Sequence, residues 1–210
     1  ALHRGATRCR RYPPPGLSDA SVAALSSLSW SAPCLRSAAG ETFAVRHIWC
    51  VGRNYPDHAR EMGVDPSRSS PIFFAKPAQS AVQGDRIEYP PDTLDLHHEV
   101  ELAVLIGEGG RGIRAADWMQ RIWGFAVAVD LTRRDAQARF KAAGQPWELS
   151  KGFDQSAPMG LVTRACEWLP SPETTIELRV NGQPRQRGTL GDMIWPVPEL
   201  LEELSGSLTL

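Results

Sequence analysis

The sequence predicts a mainly β fold with short helices, of the α+β class. Glycine and proline, with 18 and 17 copies, make up about one residue in six, where about one in eight is usual. That excess favours many turns and short strands over a helix bundle. The apolar runs, such as Leu102 to Ile106, are far shorter than the ~20 residues that a membrane-spanning helix needs. The Asn-Gly pair at 181–182 lies between two strand-like runs and is the strongest hairpin signal in the chain.

The first half of the chain predicts two strands and one helix. The apolar run at 45–52 indicates a buried strand. The segment 53–63 favours a short helix, because a proline lies in its first turn and a glycine closes it. The apolar segment 71–77 is a short strand between prolines, and 88–95 is a loop rich in proline and aspartate.

The second half alternates strands and helices. Residues 97–107 alternate in polarity and then become apolar on both faces, which is typical of a strand entering a core. A short helix at 115–124 precedes a second buried strand at 125–130, and helical spacing with a glycine stop predicts a helix at 131–144. The last predicted elements are the hairpin at 174–190 and a helix at 195–206.

Residues 1–44 differ from the rest and are expected to be a poorly ordered extension rich in Arg, Ser, Ala and Pro, with the folded domain at 45–210. Arg- and Ser-rich, acid-poor composition also suggests a transit peptide, which would make the protein mitochondrial; otherwise we expect it in the cytoplasm. The formal net charge of −1 provides no general attraction for nucleic acid or anionic membranes, so neither is an expected partner.

Three carboxylates lie in strands that should be core. Glu99 and Glu101 are two residues apart and project from one strand face, and Asp130 ends the second buried strand. Like charges on a buried face need protonation, a basic partner or a shared cation. Their oxygens form a plausible ligand set for Mg²⁺ or Mn²⁺; the alternatives are ion pairs or a solvent-exposed face.

Two helical pairs suggest further chemistry. His58 and Glu61 are three apart, and a carboxylate beside an imidazole suits a general base acting on water; a surface contact is the alternative. Arg134 and Gln137 have the same spacing and point a cation and an amide towards the expected metal. Lys151 follows a turn and either faces an oxyanion or is solvated.

The order of several motifs resembles the fumarylacetoacetate hydrolase family, closest to its short acylpyruvate and fumarylpyruvate hydrolase branch. The resemblance covers 45–210 and rests on CVGRNYPDHAREMG, FFAKP, HHEVEL, FAVAVDLTRRDAQ, KGFD-x-SAP and VNGQPRQRG. It implies a mixed β-sandwich or roll, a homodimer and one Mg²⁺ or Mn²⁺. The family continues beyond the segment that matches 207–210, so we expect its closing strands to be missing here and the chain to be truncated.

The resemblance also implies roles for individual residues. It places Glu99, Glu101 and Asp130 as metal ligands and His58 and Glu61 as the pair that activates water. Lys151 would stabilise developing negative charge. The positions that would contact or line the substrate pocket are Tyr55, Arg134, Gln137 and Thr189.

The function implied is hydrolysis of a carbon–carbon bond in 2,4-diketo acids, such as fumarylpyruvate, to pyruvate and a carboxylic acid. Water activated by the His58–Glu61 pair would attack the distal ketone, and Lys151 would stabilise the pyruvate enolate that leaves. Oxaloacetate decarboxylation or keto–enol tautomerisation on the same site is an alternative, as is a truncated metal-binding fragment without turnover. The preferred acyl group and the choice between Mg²⁺ and Mn²⁺ stay open.

Overall fold

The structure, a computed structural model, describes residues 32–61, 63, 65 and 68–210, with only the main chain of His58, Ala59 and Glu61. The strands are β1 (Cys34–Arg36), β2 (Thr42–Ala44), β3 (Ile48–Gly52), β4 (Ile72–Lys76), β5 (Ala81–Val82), β6 (Leu96–Ile106), β7 (Ile122–Arg133), β8 (Ala157–Pro158), β9 (Thr163–Arg164), β10 (Thr175–Val180) and β11 (Gln183–Thr189). The α-helices are α1 (Pro56–Glu61), α2 (Arg134–Ala142), α3 (Glu148–Lys151) and α4 (Val197–Ser207). Short 3₁₀ helices lie at Ala78–Ser80, Ala115–Arg121 and Leu190–Asp192. The mainly β prediction is confirmed.

The long antiparallel pair β6–β7 forms the centre of the fold. The pairing runs from Leu96 opposite Arg133 to Ile106 opposite Ile122, and it places Glu99 directly opposite Asp130. The short strand β9 pairs with the other edge of β7. A Cβ atom at Gly124 would lie 2.6 Å from the carbonyl oxygen of Thr163, so only glycine allows the two strands to approach this closely.

The remaining strands form two-stranded units around this centre. The pairs β1–β2, β3–β4 and β10–β11 are antiparallel, and β5–β8 is parallel. Asn181 and Gly182 connect β10 to β11 with φ values of 51° and 77°. Positive φ at both residues matches the right-handed twist of a hairpin, which confirms the predicted turn.

The hydrophobic core corrects the predicted domain boundary at residue 45. Leu35 of β1 is 2% exposed and packs in one cluster with Val45, Leu105 and Val162. Residues 32–44 therefore belong to the folded domain, because they supply both a core side chain and the β1–β2 hairpin. The remainder of the predicted extension, residues 1–31, lies outside the described residues.

Two predicted helices differ most from the observed elements. The helix predicted at 131–144 begins only at Arg134, because residues 131–133 continue β7 opposite residues 96–98. The segment predicted as a helix at 115–124 is a 3₁₀ turn that ends at Arg121. The single-turn helix α3 was not predicted. No helix in the described part of the chain is long and apolar enough to cross a membrane.

Candidate active site

A buried lysine bridges two of the predicted carboxylates. The Nζ atom of Lys151 lies 2.9 Å from Oε2 of Glu99 and 2.6 Å from Oδ2 of Asp130. Lys151 is 4% exposed and Asp130 is 7% exposed, so water screens these contacts little. The alternative that the Lys151 side chain is solvated is therefore wrong.

Two structural features bring these three residues together, the register of β6 and β7 and the position of α3. The register of β6 and β7 sets Glu99 and Asp130 opposite each other across the ladder. The single turn α3 ends at Lys151, and the carbonyl group of Lys151 accepts a 2.8 Å hydrogen bond from the hydroxyl group of Ser156. Strand pairing therefore positions the acids, and the loop after α3 positions the cation.

A second buried lysine holds the opposite oxygen of Asp130. The Nζ atom of Lys76, at the end of β4, lies 2.9 Å from Oδ1 of Asp130. The ammonium group also donates to the carbonyl oxygens of Leu131 at 3.2 Å and Ser156 at 3.1 Å, and to that of Lys151. Burial lowers the pKa of Lys76, and the attraction of Asp130 opposes this shift. Asp130 thus lies between two ammonium groups.

Arg134 and Gln137 complete the cluster on the side of α2. Arg134 pairs with Oε1 of Glu99 and donates to Oε1 of Gln137 at 2.7 Å. Gln137 is buried, at 5% exposure. Burial alone would raise the pKa of Glu99, but the charges and hydrogen bonds of Lys151 and Arg134 outweigh it and hold this pKa well below its usual value. The predicted neighbours Arg134 and Gln137 therefore do meet the carboxylate site.

Glu101 lines a cavity of about 700 Å³, whose wall also includes Lys76, Asp130 and Tyr55. Burial, together with the negative charges of Asp130 and Glu99, raises the pKa of Glu101 to about 8. Burial and the negative charge of Glu101 raise the pKa of Tyr55 to about 12. Glu101 and Tyr55 therefore lie where the carboxylate cluster borders the cavity. A cation bound beside Glu101 would be favoured, because it would stabilise the ionised carboxylate.

The other predicted site residues are less directly placed. Thr189 uses its hydroxyl group to bond Asp192 at 2.8 Å, where it caps a 3₁₀ turn. His58 and Glu61 lie on α1, but their side chains are outside what the structure describes, so the water-activating pair stays a prediction.

The chemistry of the carboxylates fits an oxygen-ligated divalent cation. Glu99, Glu101 and Asp130 share one region of β6 and β7, and burial, with the negative charges of Asp130 and Glu99, raises the pKa of Glu101 there. Lys151 binds two of these carboxylates in the structure, and no three His, Cys, Asp or Glu side chains among the described residues are grouped as a ready metal site. The triad therefore stays a prediction as a ligand set.

Sequence reasoning did not assign a role to Lys76 or to Asn54. Lys76 ends an apolar strand between two prolines, and a lysine in such a position must find buried partners. The side chain of Asn54 bonds the main chain of Trp195, which is 141 positions away, so no local pattern predicts this contact.

Residues 47–210 match the family described as fumarylacetoacetate (FAA) hydrolase C-terminal. The chain belongs to the fumarylacetoacetate hydrolase family. A crystal structure of fumarylpyruvate hydrolase from Pseudomonas aeruginosa, in complex with Mn²⁺ and pyruvate, is similar with 41% identity and a TM-score of 0.82. This similarity covers 87% of this chain and 81% of that protein.

Two curated relatives of the family carry a different activity in their names. Oxaloacetate tautomerase YcgM of Escherichia coli K12 is 41% identical over 170 residues, which cover 80% of this chain and 77% of the relative. The mitochondrial oxaloacetate tautomerase FAHD1 of Arabidopsis thaliana is 41% identical over 164 residues, covering 78% and 73%. The predicted family and fold are thereby confirmed, and the relatives are enzymes.

Proposed function

We propose that this chain is a metal-dependent hydrolase of 2,4-diketo acids such as acylpyruvates. The observation that carries the proposal is the buried cluster in which Lys151 and Arg134 meet Glu99 and Asp130 beside a cavity. Three cations, Lys76, Lys151 and Arg134, lie beside the three carboxylates, and this set suits an anionic substrate that shares a divalent cation with the protein. The Mn²⁺ and pyruvate complex of the Pseudomonas relative supports this assignment.

The metal would be held by Glu99, Glu101 and Asp130. Mg²⁺ and Mn²⁺ both accept such oxygen ligands. When bound, the cation supplies Lewis-acid polarisation of the 2-oxo group of the substrate.

The protein's own cations would bind and stabilise the substrate. Arg134 and the Gln137 amide would donate to the carboxylate oxygens of the substrate. In the structure Arg134 pairs with Glu99 and donates to Oε1 of Gln137, so both side chains lie beside the cluster. Lys151 would stabilise the negative charge that develops on the 2-oxo oxygen, a contribution of roughly 3 kcal/mol by comparison with oxyanion donors.

Water would be activated by the pair carried on α1. His58, oriented by Glu61, takes a proton from water, and the hydroxide adds to the distal carbonyl carbon. The carbon–carbon bond then breaks, and its electron pair passes to the pyruvate fragment, which leaves as an enolate. Return of the proton to the enolate carbon gives pyruvate and the carboxylate of the acyl group.

Oxaloacetate tautomerisation is the second candidate, and the names of the Escherichia coli and Arabidopsis relatives favour it. It uses the same stabilisation of a 2-oxo acid enolate by Lys151 but needs no attack by water. The variant His58→Ala separates hydrolysis from oxaloacetate decarboxylation on the same cluster. Hydrolysis should fall, because it needs a base for water, while decarboxylation should persist, because loss of CO₂ gives the enolate without proton abstraction.

The experiment follows the enol absorbance of acetylpyruvate, fumarylpyruvate and oxaloacetate with the purified chain in Mg²⁺, Mn²⁺ or EDTA, with pyruvate measured separately. We expect metal-dependent loss of an acylpyruvate with one pyruvate formed per molecule, abolished in Glu101→Ala. The control is Glu203→Ala, at an exposed position on α4. Turnover of oxaloacetate alone would favour the second candidate, and full activity of Glu101→Ala in EDTA would overturn both.

A further inference from the structure

Asn54 attaches the start of the α1 segment to a distant part of the chain. Its side-chain amide donates to the carbonyl oxygen of Trp195 at 2.9 Å, and its side-chain oxygen accepts from the Trp195 N–H at 2.8 Å. The N–H of Ile194 donates to the main-chain carbonyl of Asn54 at 2.8 Å. Three hydrogen bonds therefore fix residue 54, two positions before α1 begins at Pro56.

The chain after α1 returns to the same tryptophan. The indole N–H of Trp195 donates to the carbonyl oxygen of Ser69 at 2.9 Å. The guanidinium carbon of Arg68 lies 4.2 Å from the centroid of the Trp195 ring, and Arg68 also pairs with Glu199 on α4. Trp195 thus contacts both ends of the segment 54–69, which contains α1.

We call the contacts of Asn54, Arg68 and Ser69 with Trp195 the anchor. Trp195 lies next to a helix that is packed on the core. Trp195 precedes Pro196, which restricts its backbone, and α4 begins at Val197. The buried side chains of Leu201 and Leu204 hold α4 against the domain. Trp195 is therefore connected directly to a helix that packs on the core, so its position is fixed by the domain.

The backbone next to the anchor is held in an uncommon conformation. Arg53 has φ of 58°, in the left-handed region that non-glycine residues seldom occupy. Such conformations persist where surrounding contacts determine them, and they concentrate at functional sites. The three hydrogen bonds between Asn54 and residues 194 and 195 hold the neighbouring Arg53 in this conformation.

Asn54 also faces the candidate active site. It lines the same cavity as Tyr55, Glu101 and Asp130. We propose that Asn54 and Trp195 are positioning residues that set where α1 stands relative to the carboxylate cluster. This inference rests on the proposed function, in which α1 carries the water-activating pair. The residues of the carboxylate cluster belong to other elements, β6, β7, α2 and α3. Loss of the anchor should therefore impair the attack by water and leave stabilisation of the enolate unchanged.

The first test is the variant Asn54→Asp, which keeps the oxygen acceptor for Trp195 but replaces the amide donor by a carboxylate. We expect kcat for acylpyruvate hydrolysis to fall about 10- to 100-fold, as small displacements of reacting groups do. KM and the metal-dependent decarboxylation of oxaloacetate should each stay within about 3-fold, because Lys151 and the carboxylates of the cluster are not moved. Asn181→Asp, the same change in an exposed hairpin turn, is the matched control.

A second variant and a second readout keep the test independent of folding defects and of the assigned activity. Trp195→Phe removes the indole donor to Ser69 and one ring of the indole but keeps an aromatic ring beneath Arg68, with Trp168→Phe as its control for the smaller ring. In both anchor variants, hydrogen exchange should be faster in residues 54–63 and unchanged in β6 and β7.

Faster exchange in 54–63 together with selective loss of hydrolysis supports the anchor. Unchanged exchange there, or an equal loss of both reactions, overturns it. If the wild-type chain hydrolyses no acylpyruvate, the proposed function has failed, and the exchange data alone decide on the anchor.

Discussion

Removing the ammonium group of Lys76 should destabilise the domain markedly. In Lys76→Met the hydrocarbon part of the side chain is retained, but Asp130 loses one of its two cations. The side chains of Lys76 and Asp130 are 1% and 7% exposed, so the pair is buried. Breaking such a pair by removing one partner costs about 3–5 kcal/mol.

The lower end of that range applies here for two structural reasons. Lys151 still contacts Oδ2 of Asp130 at 2.6 Å in the variant, so the carboxylate keeps one cation. Burial already lowers the pKa of Lys76, so desolvation of its ammonium group offsets part of the attraction that is lost. We therefore expect a loss of about 3 kcal/mol, which for a domain of this size lowers Tm by roughly 6–12 °C.

The assay is urea and thermal unfolding at pH 7 in EDTA, so that no metal stabilises the folded chain. Lys141→Met is the matched control, because Lys141 is exposed on α2, and it should change stability by less than about 0.5 kcal/mol. The double variant Lys76→Met/Asp130→Asn should lose less than the sum of the single variants. A loss below about 1 kcal/mol in Lys76→Met, or additive effects in the double variant, would refute this account of the buried pair.

Three further predictions concern charge and packing. The pKa of Glu101 is raised to about 8, so the metal-free wild type should lose stability as pH rises from about 5 to 8; Glu101→Gln should be about 2–4 kcal/mol more stable at pH 9 and equal below pH 5 by urea unfolding. Hydrogen bonds from Thr93 and from the Leu94 N–H lower the pKa of Asp135 to about 2. The stability that Asp135 provides should therefore be present above pH 4 and lost towards pH 2, and Asp135→Ala should lower Tm at pH 6 but not at pH 2. Gly124→Ala places a Cβ atom 2.6 Å from a carbonyl oxygen of β9, and a loss of about 1–3 kcal/mol in chemical denaturation is expected; an unchanged midpoint would show that β9 is not packed so closely.

Much of the central ladder follows from local sequence signals. The change from alternating to continuous apolar residues after Glu101 predicts β6, and the run that ends at Asp130 predicts β7. The Asn-Gly pair predicts the turn between β10 and β11. These signals act over a few residues, so they can be read without knowledge of the rest of the chain.

What could not be predicted depends on contacts between distant residues. Helical spacing over residues 131–144 predicts a helix there, but pairing with residues 96–98 extends the strand β7 to Arg133. The role of Leu35 depends on packing against Val162, more than a hundred positions away. Neither contact leaves a local pattern.

The candidate site divides in the same way. Paired spacings along β6 and α2 identify Glu99, Glu101, Arg134 and Gln137 as neighbours within their own elements. The pairing of Lys151 with both Glu99 and Asp130 requires the strand register and the turn at α3 together. The buried position of Lys76 at Asp130 depends on β4, which pairs only with β3 among the described strands.

The most direct test of the central claim is calorimetric titration of the purified chain with Mn²⁺, in the absence and presence of pyruvate. The account predicts one Mn²⁺ site per chain that pyruvate strengthens. That site should be lost in both Glu101→Gln and Asp130→Asn and kept in Asn181→Asp. Mn²⁺ binding that persists unchanged in both carboxylate variants would contradict the assignment of this buried cluster as the active site.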